Sequence, residues 1–83
     1  MEATITAIRE VLAEHAKLSV PVESISDDDD LFEAGLTSLS TVTVMLALED
    51  AFETEFPESM LSRRTFTSVS SILEALGELV TIG

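Results

Sequence analysis

Apolar residues recur at helical spacing in three stretches of this 83-residue chain, and proline breaks the rhythm between them at Pro21 and Pro57. In the first stretch Ile5, Ile8, Leu12 and His15 stand at i, i+3, i+7 and i+10, with Val11 widening the stripe. That spacing predicts a helix over residues 3–16. Glu2, Arg9, Glu10, Glu14 and Lys17 mostly fall elsewhere round the wheel, as expected of a face turned to water. His15, near the predicted C-terminus, suits the negative end of the helix dipole and reads as structural.

A second helix is expected over residues 38–52, where Leu39, Val42, Met45 or Leu46, Glu49 and Phe52 are spaced by threes and fours. The run Thr41-Val42-Thr43-Val44 alternates as a strand would, but the length of the segment favours a helix. Leu39, Val42 and Leu46 share a stripe that suits either the core or an exposed patch for a partner. Phe56-Pro57 ends the next turn, because the residue before proline avoids the helical region. Residues 58–62 then suit a single helical turn. A last helix starts near Thr67 or Ser68 as N-cap, with Val69, Ile72, Leu73, Leu76 and Val80 as its buried stripe and Gly77 lowering its propensity.

Residues 17–37 make a long connection that holds Pro21 and the run Ser26-Asp27-Asp28-Asp29-Asp30. A loop of that length in a compact fold is expected to be functional. Leu18, Val20, Val22, Ile25, Leu31, Phe32 and Leu36 are expected to lie it along the core. The fold class is therefore all-α: a small four-helix bundle of three longer helices and one short, with a long loop between the first two, in one domain over residues 1–83.

Charge changes the picture most. Four basic residues against sixteen acidic ones give −12, and between Leu18 and Leu61 there are eleven acids and no Lys or Arg. Such a field repels nucleic acid and anionic membranes. It attracts basic protein surfaces, or serves solubility alone. Arg63-Arg64, the one basic pair, reads as surface charge pairing with nearby carboxylates. The absence of cysteine excludes disulfides, zinc–thiolate sites and thiol nucleophiles, so any reactive thiol has to come with a cofactor. One histidine forms no histidine metal cluster. The aspartate run fails the EF-hand template: a start at Asp28 supplies Asp30, but Phe32 and Glu33 fall where a ligand and the turn glycine belong. No dedicated metal loop is expected, and the aspartate run is left at most a weak surface site for a cation. The first residues lack a basic n-region and an apolar h-region. The longest uncharged run, residues 34–48, is 15 residues with five hydroxyls, too short and polar to span a bilayer. A cytoplasmic protein without membrane insertion is the expectation.

No base stands near a nucleophile and there is no glycine-rich phosphate loop, so an autonomous enzyme is not expected and no catalytic residue is assigned. Attention falls on Ser38, which follows Gly35 and sits between Leu36 and Leu39 where the second helix begins. On local pattern alone its hydroxyl serves as an N-cap.

The stretch Asp29-Asp30-Leu31-Phe32-Glu33-Ala34-Gly35-Leu36-Thr37-Ser38-Leu39, followed by Val42 and by Leu48-Glu49-Asp50-Ala51-Phe52-Glu53-Thr54-Glu55-Phe56-Pro57, resembles the acyl carrier protein family. Its pattern is an acidic D-L-x-x-x-G-hydrophobic-D-S-L, then a helix ending L-E-x-x-F-x-x-x-hydrophobic-P. The resemblance implies that Ser38 receives 4′-phosphopantetheine from coenzyme A through a separate phosphopantetheinyl transferase. The thiol of that arm then tethers an acyl or aminoacyl group as a thioester. It also implies a monomer served by a loading ligase and by a downstream transferase or synthase. Thr37, Leu39, Val42, Leu46, Glu49, Asp50 and Phe66 would form the docking face. The chain departs from the pattern at Thr37, where the family has an aspartate that helps the transferase and its metal, and at Ser40 and Thr43, where acids are common. Residues 56–66 resemble the small stand-alone aminoacyl carriers, which are loaded by amino acid:carrier protein ligases. Fatty-acid and polyketide carriers stay open. The rival reading is an acidic helical interaction module with a carrier-like fold that is not phosphopantetheinylated.

Overall fold

A computed structural model of the chain describes residues 2–82. Three α-helices carry the fold: α1 (Ile5–His15), α2 (Ser38–Ala51) and α3 (Val69–Gly77). α1 is the middle element and packs against both of the others. Ile8 and Leu12 from α1, Val44 and Leu48 from α2, and Ile72 and Leu76 from α3 are fully buried together. The stripes of α1 and α3 are thus the expected ones as far as Leu76, with Ile5, His15 and Leu73 half-buried at their margins. α3 ends at Gly77, so the half-buried Val80 lies past the helix and not on its stripe.

The first helix is shorter than residues 3–16. Thr4 ends it by accepting the Ala7 amide at 3.1 Å as N-cap. The chain before it is extended: β1 (Glu2–Ala3) pairs in parallel with β2 (Thr81–Ile82), Glu2 opposite Thr81 and Ala3 opposite Ile82. Apart from that two-residue bridge the fold is all-helical, as expected. The expected fourth, short helix over 58–62 is a single 3-10 turn, Glu58–Met60, closed by the Met60 amide on the Pro57 carbonyl at 2.8 Å. No side chain caps it, and Leu61 already leaves the helical region. At the last helix Ser68 is the cap and exchanges bonds with Ser71.

The long loop holds a 3-10 turn, Val22–Ser24, directly after Pro21. Ile25, Leu31 and Leu36 are buried and Leu18, Val22 and Phe32 half-buried, as the apolar count suggested. Val20 is instead 40% exposed, because the chain reaches the core through Leu18 and Val22 on either side of that bend. Arg9 also departs from its expected place in water. Its guanidinium donates to the Val22 carbonyl at 2.8 Å, the Ile25 carbonyl at 2.9 Å and Asp27 Oδ1 at 2.6 Å. One α1 side chain therefore holds the loop against the bundle. At the loop's far end the Leu31 amide donates to the Thr67 carbonyl at 2.7 Å and the Ser70 amide to the Asp27 carbonyl at 2.9 Å. Among the described residues no helix is long and apolar enough to cross a membrane.

The aspartate run has local work. Asp27 meets Arg9, Asp29 accepts the Ser26 amide at 2.9 Å, and Asp30 accepts the Phe32 amide at 2.8 Å. The Ser26 bonds hold the Asp29 carboxyl below the ordinary aspartate range. These carboxylates shape the loop that delivers the chain to α2.

Candidate functional site

The head of α2 is aimed by the turn before it. Residues 31–35 coil, with the Ala34 amide donating to the Asp30 carbonyl at 3.2 Å and the Leu36 amide to the Leu31 carbonyl at 2.9 Å. Gly35 then adopts φ +117°, a conformation that side-chain-bearing residues rarely take. A Cβ there would come within 2.6 Å of both the backbone nitrogen and Oγ of Ser19. That close approach lets the Ser19 amide donate to the Ala34 carbonyl at 2.8 Å, pinning the turn to the start of the loop.

Thr37, not Ser38, is the N-cap. Thr37 is extended at φ −109°, ψ 168°, and Ser38 is the first helical residue. Thr37 Oγ1 accepts the Ser40 amide at 3.1 Å, and Ser40 Oγ accepts the Thr37 amide at 2.9 Å. The capping reading of Ser38 is therefore corrected: its neighbour has taken the role. Ser38 is left exposed, and its hydroxyl makes no hydrogen bond among the described residues. The two departures from the family pattern at Thr37 and Ser40 form one reciprocal cap.

Beside Ser38 opens a groove of about 250 Å³, floored by Phe32, Val42, Met45 and Phe66 and edged by Leu61 and Arg63. Phe66 packs edge-on against Phe56, ring centroids 5.5 Å apart, and is only 3% exposed. Phe66 thus reaches the surface only as part of the groove floor. The guanidinium of Arg63 lies 4.0 Å above the Phe32 ring. The expected pairing of Arg63 and Arg64 with carboxylates is not found among the described residues.

Leu39, Val42 and Leu46 form an apolar stripe that is 81%, 50% and 56% exposed, running down α2 from Ser38. The buried face of the helix is instead Ser40, Val44 and Leu48, spaced by fours. Asp50 is exposed at the far end of this surface, whereas Glu49 is half-buried and accepts the Phe56 amide at 2.8 Å. The structure therefore brings Ser38, Leu39, Val42, Leu46 and Asp50 onto one accessible face. Thr37 holds the helix head, and Glu49 and Phe66 are engaged within the fold. Phe32, expected along the core, and Arg63, expected as paired surface charge, were not expected at this site. Their signal was an aromatic just ahead of the glycine turn and the first cation after a long acid-only stretch.

A sequence profile described as the phosphopantetheine attachment site (PP-binding) matches residues 6–76, nearly the whole chain. The chain belongs to the phosphopantetheine-attachment carrier family. It is 46% identical over 65 residues to an aminoacyl carrier protein of Agrobacterium fabrum, covering 78% of each chain. It is 43% identical over 61 residues to a D-alanyl carrier protein of Streptococcus uberis, covering 70% of this chain and 77% of that one. Among solved structures it superposes with TM-score 0.87 and 40% identity on a carrier protein from Agrobacterium tumefaciens. That protein was crystallised with an engineered Bradyrhizobium japonicum glycine:carrier protein ligase and ATP; the match covers 89% of this chain and 96% of that one.

The carrier's residues fit its cofactor. 4′-Phosphopantetheine attaches through a phosphodiester, which needs a hydroxyl free of other duties and open to an enzyme. Ser38 is such a hydroxyl, and it stands where the α2 dipole is positive and no acidic side chain occupies the first turn. A chain without cysteine gains its thiol from that arm.

Proposed function

We propose that Ser38 is the attachment residue and that this chain is an aminoacyl carrier. The observation that carries the reading is the unbonded, exposed Ser38 hydroxyl at the head of α2, released because Thr37 and Ser40 cap the helix between them. Attachment by a phosphopantetheinyl transferase joins Ser38 Oγ to the pantetheine-side phosphorus of coenzyme A. It breaks the pyrophosphate link, with the nucleotide part as leaving group. The arm supplies a terminal thiol that holds a carboxylic cargo as a thioester. Beyond the Ser38 hydroxyl, which gives up its proton as it bonds to phosphorus, no side chain of the carrier takes part in that chemistry; its work is to present the arm and to be recognised.

An amino acid is the cargo class that fits best. The relatives named above carry aminoacyl groups by name, and one was solved with a glycine:carrier protein ligase. Physical room argues the same way. The core is closed by fully buried Ile8, Leu12, Leu48 and Ile72, and the groove at Ser38 lies below the roughly 300–1,000 Å³ of ordinary ligand pockets. A long acyl chain has little space here, while a small polar cargo needs none. An amino acid:carrier protein ligase loads the arm, and a transferase takes the cargo onward. The turn Glu58–Met60 stands in for the short helix of a four-helix carrier, and residues 1–83 act as one domain, a monomer in the cytoplasm.

Intact mass after incubation with coenzyme A and a broad-specificity phosphopantetheinyl transferase tests the reading, with Ser38→Ala beside it. One phosphopantetheinyl addition on the natural chain and none on the variant is the expected result. No addition, together with an unmodified mass for protein purified from its own host, would make the chain an interaction module instead.

A further inference from the structure

We propose that Arg63, now stacked on Phe32 at the edge of the groove that also includes Ser38, is the positioning residue for the phosphodiester on Ser38. The inference rests on Ser38 being the attachment residue and goes beyond it, because it assigns a conformational role to a side chain on a different segment.

Three observations meet at this place. Attachment adds a negative charge to a surface that is already acidic: no Lys or Arg lies between Leu18 and Leu61. Of the four basic residues, Arg63 alone lines the groove with Ser38. Arg9 is bound to Asp27 and two loop carbonyls, Lys17 lies at the other end of the first loop, and Arg64 lines a separate hollow with Glu74 and Glu78. Finally, Arg63 forms no ion pair among the described residues, and its guanidinium rests on an aromatic face.

An exposed cation–π contact is weak, whereas a guanidinium on a phosphate oxygen pair gains a charge-assisted, two-pronged bond. Moving from ring to phosphate is therefore downhill once the arm is attached. The displacement also bares the Phe32 face beside Val42, Met45 and Leu61, leaving an apolar seat for the carbon chain that follows the phosphate. The arm is held along the groove at rest, and a basic partner surface competes with Arg63 when it docks. Lysine offers charge without the planar fork, so Arg63→Lys restores only part of the effect.

Nuclear magnetic resonance of the unmodified and modified forms tests this, after peptide mass mapping has placed the adduct. The Arg63 Nε–H and Phe32 ring signals are expected to shift on modification. The phosphorus signal is expected to differ between the natural chain and Arg63→Gln, with Arg63→Lys in between. That difference is expected to shrink as salt is raised. A merely structural Arg63 would alter the unmodified spectrum of Arg63→Gln and leave the phosphorus signal alone. If the adduct maps to Ser38 and neither Arg63 nor Phe32 responds, the positioning role is wrong and the attachment reading stands. If the adduct maps elsewhere, both fall together.

Discussion

Thr37 and Ser40 exchange two hydrogen bonds across the first turn of α2, the Ser40 amide donating to Thr37 Oγ1 at 3.1 Å and the Thr37 amide to Ser40 Oγ at 2.9 Å. The pair satisfies two otherwise orphaned donors with neighbouring hydroxyls, and so leaves Ser38 with no part in holding the helix. Stability and attachment are separated onto adjacent residues. Thr37→Ala should destabilise the fold by about 1 kcal/mol, the usual size of a lost N-cap. Ser38→Ala should stay within about 0.5 kcal/mol of the natural chain while abolishing attachment. Urea denaturation of the two variants checks the contrast. A Ser38→Ala loss as large as that of Thr37→Ala would return the capping role to Ser38.

Arg9 closes the first loop onto α1, so its loss should loosen the loop as a unit. Its side chain is 24% exposed and serves one carboxylate and two carbonyls. Arg9→Gln should cost about 1.5–3 kcal/mol, the range for bonds to charged groups, with the lower end favoured by partial exposure. Amide hydrogen exchange across residues 22–27 should accelerate by more than exchange in α3. Equal acceleration everywhere would mean that Arg9 acts on global stability alone.

Gly35 cannot gain a side chain without cost to the aim of Ser38. Its φ of +117° is strained for an L-residue, and a Cβ would press on the Ser19 backbone, which cannot rotate away. Gly35→Ala should destabilise by about 1–3 kcal/mol. It should also slow attachment at Ser38 relative to Arg9→Gln of similar stability, because the turn that presents Ser38 has shifted. Transferase kinetics on the two variants decides this.

What the sequence disclosed, and what it hid, follows from the range of each interaction. The apolar stripes of α1 and α3 were legible because 3.6-residue periodicity is local, and Ile8, Leu12, Ile72 and Leu76 are buried as expected. The exposed stripe of Leu39, Val42 and Leu46 could not be told from core, since α2 is apolar on several faces and only packing chooses among them. Thr37 and Ser38 are both good caps, and which one serves depends on where the turn set by Gly35 leaves the helical region. Arg9 on Asp27 and Arg63 on Phe32 join residues far apart in the chain, so neither was visible before folding. The single helical turn expected after Pro57 is a shorter 3-10 turn, Glu58–Met60, a difference that propensity alone does not resolve.

Asp29 gives the fold an acid-side pH dependence. Bonds from Ser26 favour its charged form and hold its folded pKa below the ordinary 3.8. A depressed folded pKa means stability that is present above the unfolded value and lost as pH falls through the folded one. Asp29→Asn should therefore lower stability at neutral pH, and the gap to the natural chain should close below about pH 4. Chemical denaturation of both proteins from pH 7 down to pH 3 measures it. A gap that stays constant with pH would show that it does not come from ionisation of Asp29. No gap at any pH would show that the Ser26 bonds serve the amide as well as the carboxylate.

Leu46 offers the cleanest test of the exposed α2 stripe as the surface a loading ligase grips. It is 56% exposed, on the same face as Leu39 and Val42, and lies outside the capping bonds and the groove. Replacing it with alanine removes apolar contact area while improving helix propensity, so folding is not at risk. If the ligase buries this stripe, Leu46→Ala should reduce kcat/KM for loading about tenfold, the effect of losing a central apolar anchor. The turnover number should change little, because the reacting thiol lies at the end of the arm and not on α2. Asp50→Asn should act differently: a rim charge changes the encounter rate, so its smaller effect should vanish as salt is raised. Loading that is indifferent to Leu39→Ala, Val42→Ala and Leu46→Ala together would move the docking surface off α2. The acidic field would then be left as the remaining basis of recognition.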